Sequence, residues 1–230
     1  AMAELQLRAA PIDDFSTPQA AAVDATNDAA FSSTVEAGPI VGTVVPAGGQ
    51  REIGVSKTNN AIGAAEAEVF PGAALYDALG AVVGRLFLEY TGLGGVDFSS
   101  FDKLIVSGLI DTSAASGAGT TLGITLEDNL ANTATSSFTL NSPGTFLQEI
   151  PLINFAAVDV ANVTRINLGT FDDSGTFVDV PAGGDITLLR FEVANDAVQS
   201  VPEPNSFWTW GILGVAGVVL YWWNPCCLVR

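Results

Sequence analysis

Residues 82–90 read Val82-Val83-Gly84-Arg85-Leu86-Phe87-Leu88-Glu89-Tyr90. Successive side chains of an extended chain point to opposite faces, so Leu86, Leu88 and Tyr90 share one side and Phe87 and Glu89 the other. This is the period of a half-buried strand. Ile124-Thr125-Leu126-Glu127 repeats it, while Leu188-Leu189-Arg190-Phe191 is mixed. Strands are predicted over 40–45, 51–57, 65–70, 82–90, 103–109, 122–127, 137–140, 146–150, 163–168 and 186–193. A first strand is expected over 4–15, and the Ala/Ser/Thr-rich stretch 16–38 reads as a long surface loop. Turn signals divide the strands: Pro46-Ala47-Gly48-Gly49, Gly94-Gly95, Asn141-Ser142-Pro143-Gly144, Asp173-Ser174-Gly175 and Pro181-Ala182-Gly183-Gly184. No long amphipathic helical pattern competes. Short strands at this spacing predict an all-β, jelly-roll-like two-sheet sandwich over residues 1–198.

At 230 residues the chain is long enough to bury a real core, with room for one β domain and an appendage. The net charge of −17 repels phosphate backbones and argues against nucleic-acid partners. There is no histidine, which removes the commonest general base and metal ligand. Residues 1–200 hold no cysteine, so the sandwich has neither thiol nucleophile nor disulfide framework. The expectation is a non-enzymatic protein with no catalytic residues, no metal site and no cofactor. Asp13-Asp14, Glu127-Asp128 and Asp172-Asp173 are oxygen-rich enough to suggest Ca²⁺, but no Asp-x-Asp-x-Asp-Gly loop is present, and a solvated face is the favoured reading. Jelly-roll sandwiches often hold sugars, which stack on exposed Trp or Tyr. The predicted sandwich has no Trp, and its tyrosines are Tyr76 and Tyr90.

The last 30 residues differ in kind. All four tryptophans and both cysteines lie in 201–230. Residues 207–223 carry no charge and span about 26 Å as a helix, close to a hydrocarbon core of roughly 30 Å. Trp208 and Trp210 at one end and Tyr221, Trp222 and Trp223 at the other match the two aromatic belts of a membrane span. Gly211, Gly214 and Gly217 recur every three residues and offer a strip for helix packing. A C-terminal transmembrane helix over 207–223 is therefore expected, with 199–206 as spacer and 224–230 as a short cytoplasmic tail.

Val201-Pro202-Glu203-Pro204, followed by one apolar span and a terminal basic residue, Arg230, resembles the PEP-CTERM sorting signal of Gram-negative bacteria, the tag of exosortase-type enzymes. The resemblance covers these 30 residues. It implies a protein delivered out of the cytoplasm, with the sandwich in the periplasm or at the cell surface and the span kept as a single-pass anchor in the lipid bilayer. The leading expectation is a structural or accessory subunit that contacts other membrane protein subunits through helix and sandwich. The sequence does not name the host complex; a photosynthetic reaction-centre assembly is conceivable but rests on no motif. The alternative is a surface or biofilm-matrix protein whose sandwich binds glycans.

Overall fold

The computed structural model describes residues 9–28, 30–37, 40, 44–46, 48–78, 80–111 and 119–195. The chain divides between Asp196 and Ala197, and all of these residues belong to the first part. Val201, Pro202, Glu203 and Pro204, the aromatic anchors Trp208, Trp210, Tyr221, Trp222 and Trp223, and Gly211, Gly214 and Gly217 lie outside the described residues. Among the described residues no helix is long and apolar enough to cross a membrane.

Thirteen strands and one short 3-10 turn, Leu152–Phe155, make up the described chain. The strands are β1 Ala9–Asp13, β2 Gln19–Asp24, β3 Ser32–Ala37, β4 Gln50–Lys57, β5 Ala65–Phe70, β6 Ala73–Ala78 and β7 Gly84–Thr91. They continue as β8 Lys103–Asp111, β9 Thr120–Asp128, β10 Thr133–Leu140, β11 Gly144–Pro151, β12 Val163–Gly169 and β13 Asp185–Ala194. One sheet runs β11-β8-β13-β6-β5-β2, with β1 also paired to β13; the other runs β10-β9-β12-β7-β4-β3. The chain is thus an all-β two-sheet sandwich, as the alternating pattern implies.

The core lies between the sheets. Leu86, Leu88 and Tyr90 of β7 point into it, beside Leu122, Ile124 and Leu126 of β9 and Ile166 and Leu168 of β12. Opposite them stand Leu104 and Val106 of β8, Tyr76 of β6 and Ile186, Leu188, Phe191 and Val193 of β13. Apolar side chains on alternate positions leave water together, which supplies the main favourable term.

The expected surface loop over 16–38 is corrected: it holds β2 and β3, the outermost strands of the two sheets. An edge strand needs little apolar surface, so QAAAVD and SSTVEA carry a weak period-two signal. Sequence reading also passes over β6. It folds back on β5 through the two-residue turn Pro71-Gly72, where Gly72 holds a φ of 93°. The predicted strand 40–45 falls largely outside the described residues.

A polar rivet crosses the core. Arg51 of β4 donates to Asp13 of β1, Nη1 to Oδ2 2.5 Å, with both side chains buried. Its Nε donates to Gln19 Oε1 of β2 at 2.9 Å and its Nη2 to the Thr17 carbonyl at 2.5 Å. The Tyr90 hydroxyl and the Phe15 amide also donate to the Asp13 carboxylate. Burial pushes the Asp13 carboxyl up and the Arg51 charge beside it opposes that. Asp13 is therefore an interior group rather than part of a solvated acidic face.

Candidate functional site

The outward face of the six-stranded sheet departs from the usual polar surface of such a layer. Along β7 the outward positions are Arg85, Phe87 and Glu89. Register places Phe87 opposite Gly54 on β4 and opposite Gly169 on β12, and Gly169 in turn opposite Gly123 on β9. One row across four adjacent strands is therefore Gly54, Phe87, Gly169, Gly123. A Cβ at Gly54 would collide with the Phe87 ring, and one at Gly123 with the Phe171 ring. A Cβ at Gly169 would lie 2.5 Å from the Leu86 carbonyl oxygen and 3.0 Å from Phe171. The three glycines make a shelf on which two aromatic rings rest.

Two further rings complete the group. Phe31, just before β3, lies 5.0 Å from Phe87 edge-to-face and 4.8 Å from Phe177, while Phe177 meets Phe171 at 5.8 Å and 89°. Edge-to-face contacts of this kind stabilise aromatic groups beyond their buried area. Phe171 and Phe177 belong to the segment joining β12 to β13. Asp172 Oδ1 accepts from the Ser174 hydroxyl and amide and from the Thr176 amide, and the Ser174 hydroxyl leads in holding this carboxyl below its ordinary value. Asp173 accepts from the Ser137 amide of β10 at 2.6 Å. The Val178 amide donates to Thr170 and the Val180 amide to Gly84. The segment is thus pinned over the face of the sheet at several points.

The next rows are polar. Asn167 of β12 lies opposite Glu89 of β7 on one side and Thr125 of β9 on the other. Arg165 donates from Nη2 to Glu89 at 2.6 Å and from Nη1 to Glu127 at 3.3 Å. Its hydrogen bond to Glu89 leads in pushing the guanidinium further above its ordinary value. Aromatic and polar rows together line a cleft of about 240 Å³ whose walls are Phe31, Phe87, Phe171 and Phe177 and whose other residues are Glu89, Thr125, Arg165, Asn167 and Gly175. A concave site with apolar walls and a few convergent polar groups is the usual form of a small-ligand site.

Other expected groups lie elsewhere. Tyr76 and Tyr90 are buried and present no stacking surface. Asp128, at the far end of β9, accepts from the amides of Leu130, Asn132 and Asp159 and from the Asn132 side chain. Those bonds, the Asp159 amide foremost, hold its carboxyl down to about 2. Asp172 Oδ1 likewise accepts from its own loop. Among the described residues no group of three or more acidic side chains is placed to hold a metal ion. The aromatic cleft itself has no sequence motif. Its available signal is Phe87 at an outward strand position, together with glycines in the outward phase of β4, β9 and β12.

No protein-family model matches the chain, and no curated protein matches it. Among solved structures, a family 30 carbohydrate-binding module is similar at 13% identity and TM-score 0.40, over 83% of this chain and 100% of that one. A family 11 carbohydrate-binding module of a cellulosomal cellulase from Clostridium thermocellum is similar at 13% identity and TM-score 0.38, over 82% and 95%. An agarase is similar at 13% identity and TM-score 0.43, over 82% of this chain and 25% of the agarase. At TM-scores below 0.5 these likenesses do not bear on what the cleft binds.

Proposed function

We propose that the sandwich is a non-enzymatic glycan-binding module whose site is the cleft on the outward face of the six-stranded sheet. The observation that carries this is the juxtaposition, on one rigid face, of an aromatic wall with a row of planar polar side chains. A pyranose has the matching two-sided chemistry: C–H groups that pack on an aromatic ring, and hydroxyls that exchange hydrogen bonds with carboxylate, carboxamide and guanidinium. Phenylalanine serves here in place of the Trp or Tyr expected of such a site.

Binding rather than cleavage is favoured because Glu89 and Glu127 both hold Arg165. Glycoside hydrolysis needs one carboxyl to act as acid and a second as base or nucleophile. Of the two readings drawn from the sequence, the cleft favours the glycan-binding one over the accessory subunit. The composition of 207–223 supports a membrane tether for this module.

The test is titration calorimetry of the full chain in detergent against a panel of oligosaccharides, with Phe87→Ala and Asn167→Ala beside the parent protein. Saturable binding that both variants weaken supports the proposal. Binding unchanged in both would move the site elsewhere.

A further inference from the structure

We infer, building on the glycan-binding reading, that the cleft is built for neutral glycans and rejects anionic ones such as uronate polymers and sulfated chains. The cations near the cleft are already paired. Arg165 is shared between Glu89 and Glu127, and Arg85, outward on the same strand as Phe87, donates to Asp179 at 2.7 Å. The carboxylates outnumber them. Glu52 of β4 lies directly opposite Glu89 of β7, and Asp172 and Asp173 stand in the segment that carries Phe171 and Phe177.

On this face Glu52, Glu89, Glu127, Asp172, Asp173 and Asp179 oppose two guanidinium groups, within a chain of net charge −17. A sugar carboxylate or sulfate entering the cleft would meet like charge, with Arg165 Nη1 and Nη2 each already bonded to a glutamate and its Nε buried. Rejecting a competitor by like charge is as much a source of specificity as attracting the right ligand. A neutral sugar suffers no such penalty: its hydroxyls donate to the carboxylates, and its C–H face packs on the phenylalanines.

Glu127 braces Arg165 without lining the cleft, so it can be changed to alter the charge balance with the walls in place. The experiment compares neutral oligosaccharides (β-glucan, mannan and agarose fragments) with anionic ones (oligogalacturonate, alginate and a sulfated galactan) at low salt, on the parent protein and on Glu127→Gln. The expected result is measurable binding of at least one neutral ligand and binding of the anionic ones weaker by about a hundredfold or more. The variant should raise anionic relative to neutral binding by about tenfold, an effect that high salt removes. Anionic ligands bound as tightly as neutral ones by the parent protein would overturn the inference while leaving the glycan-binding reading standing. No binding of either class would sink both. Equal ratios for parent and variant would show that the charge of this face does not set the choice and would overturn the inference.

Discussion

Arg51 and Asp13 form an ion pair at 2.5 Å with both side chains wholly buried, and they belong to opposite sheets of the sandwich. Tyr90 and Gln19 extend the contact on either side. Two layers held by apolar contact alone can slide, whereas directional bonds between named positions fix their alignment. A buried pair contributes little net stability, because desolvation offsets the attraction, yet removing one partner strands the other charge. Arg51→Met is therefore expected to destabilise the domain by about 3–5 kcal/mol, read as a shift of the denaturant midpoint at unchanged slope. A loss below about 1 kcal/mol, the scale of an exposed pair, would show that the rivet is dispensable.

The shelf of glycines makes a structural prediction as well as a functional one. Gly169→Val places branched carbon against the Leu86 carbonyl and the Phe171 ring, which should cost about 1–3 kcal/mol as overpacking and displace Phe171. Phe87→Ala, in contrast, empties the outward face and should weaken glycan binding with a smaller loss of stability. If Gly169→Val left both melting temperature and binding intact, the shelf would not hold the rings.

Asp128 sets a pH dependence. Its carboxyl sits at about 2 in the folded chain against an ordinary value of 3.8. A depressed acid adds stability that is complete above the unfolded value and lost as pH falls through the folded one. The loops at that end, 128–132 and 159–162, should loosen between roughly pH 4 and pH 2, visible as faster amide exchange at Leu130 and Asn132. Asp185 works with the opposite sign. Burial leads in raising its carboxyl, with the charges of Asp77 and Asp111 adding to the effect, so its cost is present at neutral pH and relieved as pH falls through its raised value. Asp185→Asn should flatten that component and leave the Asp128 transition in place.

Leu88 tests the core register. It is buried on β7, flanked on adjacent strands by Ile53 and Leu168. Leu88→Ala should cost about 2–5 kcal/mol through lost transfer energy and the cavity left behind. Chemical denaturation measures it, and a cost under about 1 kcal/mol, no more than a single-methylene deletion, would place that side chain outside the core.

Most interior strands were legible because burial on one face imposes strict alternation, as in Leu86-Phe87-Leu88; β6, interior but short and alanine-rich, was passed over. The edge strands β2 and β3 were not, since a strand with one neighbour and small side chains is under little pressure to alternate. The Asp13–Arg51 pair was invisible for another reason. The residues are 38 positions apart, and nothing local tells a strand aspartate that its partner lies across the core. The cleft was hidden in the same way. Phe31, Phe87, Phe171 and Phe177 come from a strand and two connecting segments, and only the register of β4, β7, β12 and β9 brings them onto one shelf.

The position of β13 constrains how the domain can be made. It is the last strand of the sandwich, yet it sits inside the seven-stranded sheet, with β8 along one edge and β6 and β1 sharing the other. Before residues 185–194 are synthesised, β1 lacks the strand it pairs with, and β11-β8 cannot join β6-β5-β2. A chain emerging from its N-terminus therefore carries open strand edges until nearly the whole domain is out, and closure waits on contacts as distant in sequence as Ala9 with Ala194. Such long-range closure is slow and exposes pairing surface to neighbouring chains in the interval. Any stall before β13 would leave a half-built sheet, whereas arrival of those ten residues completes it in one step.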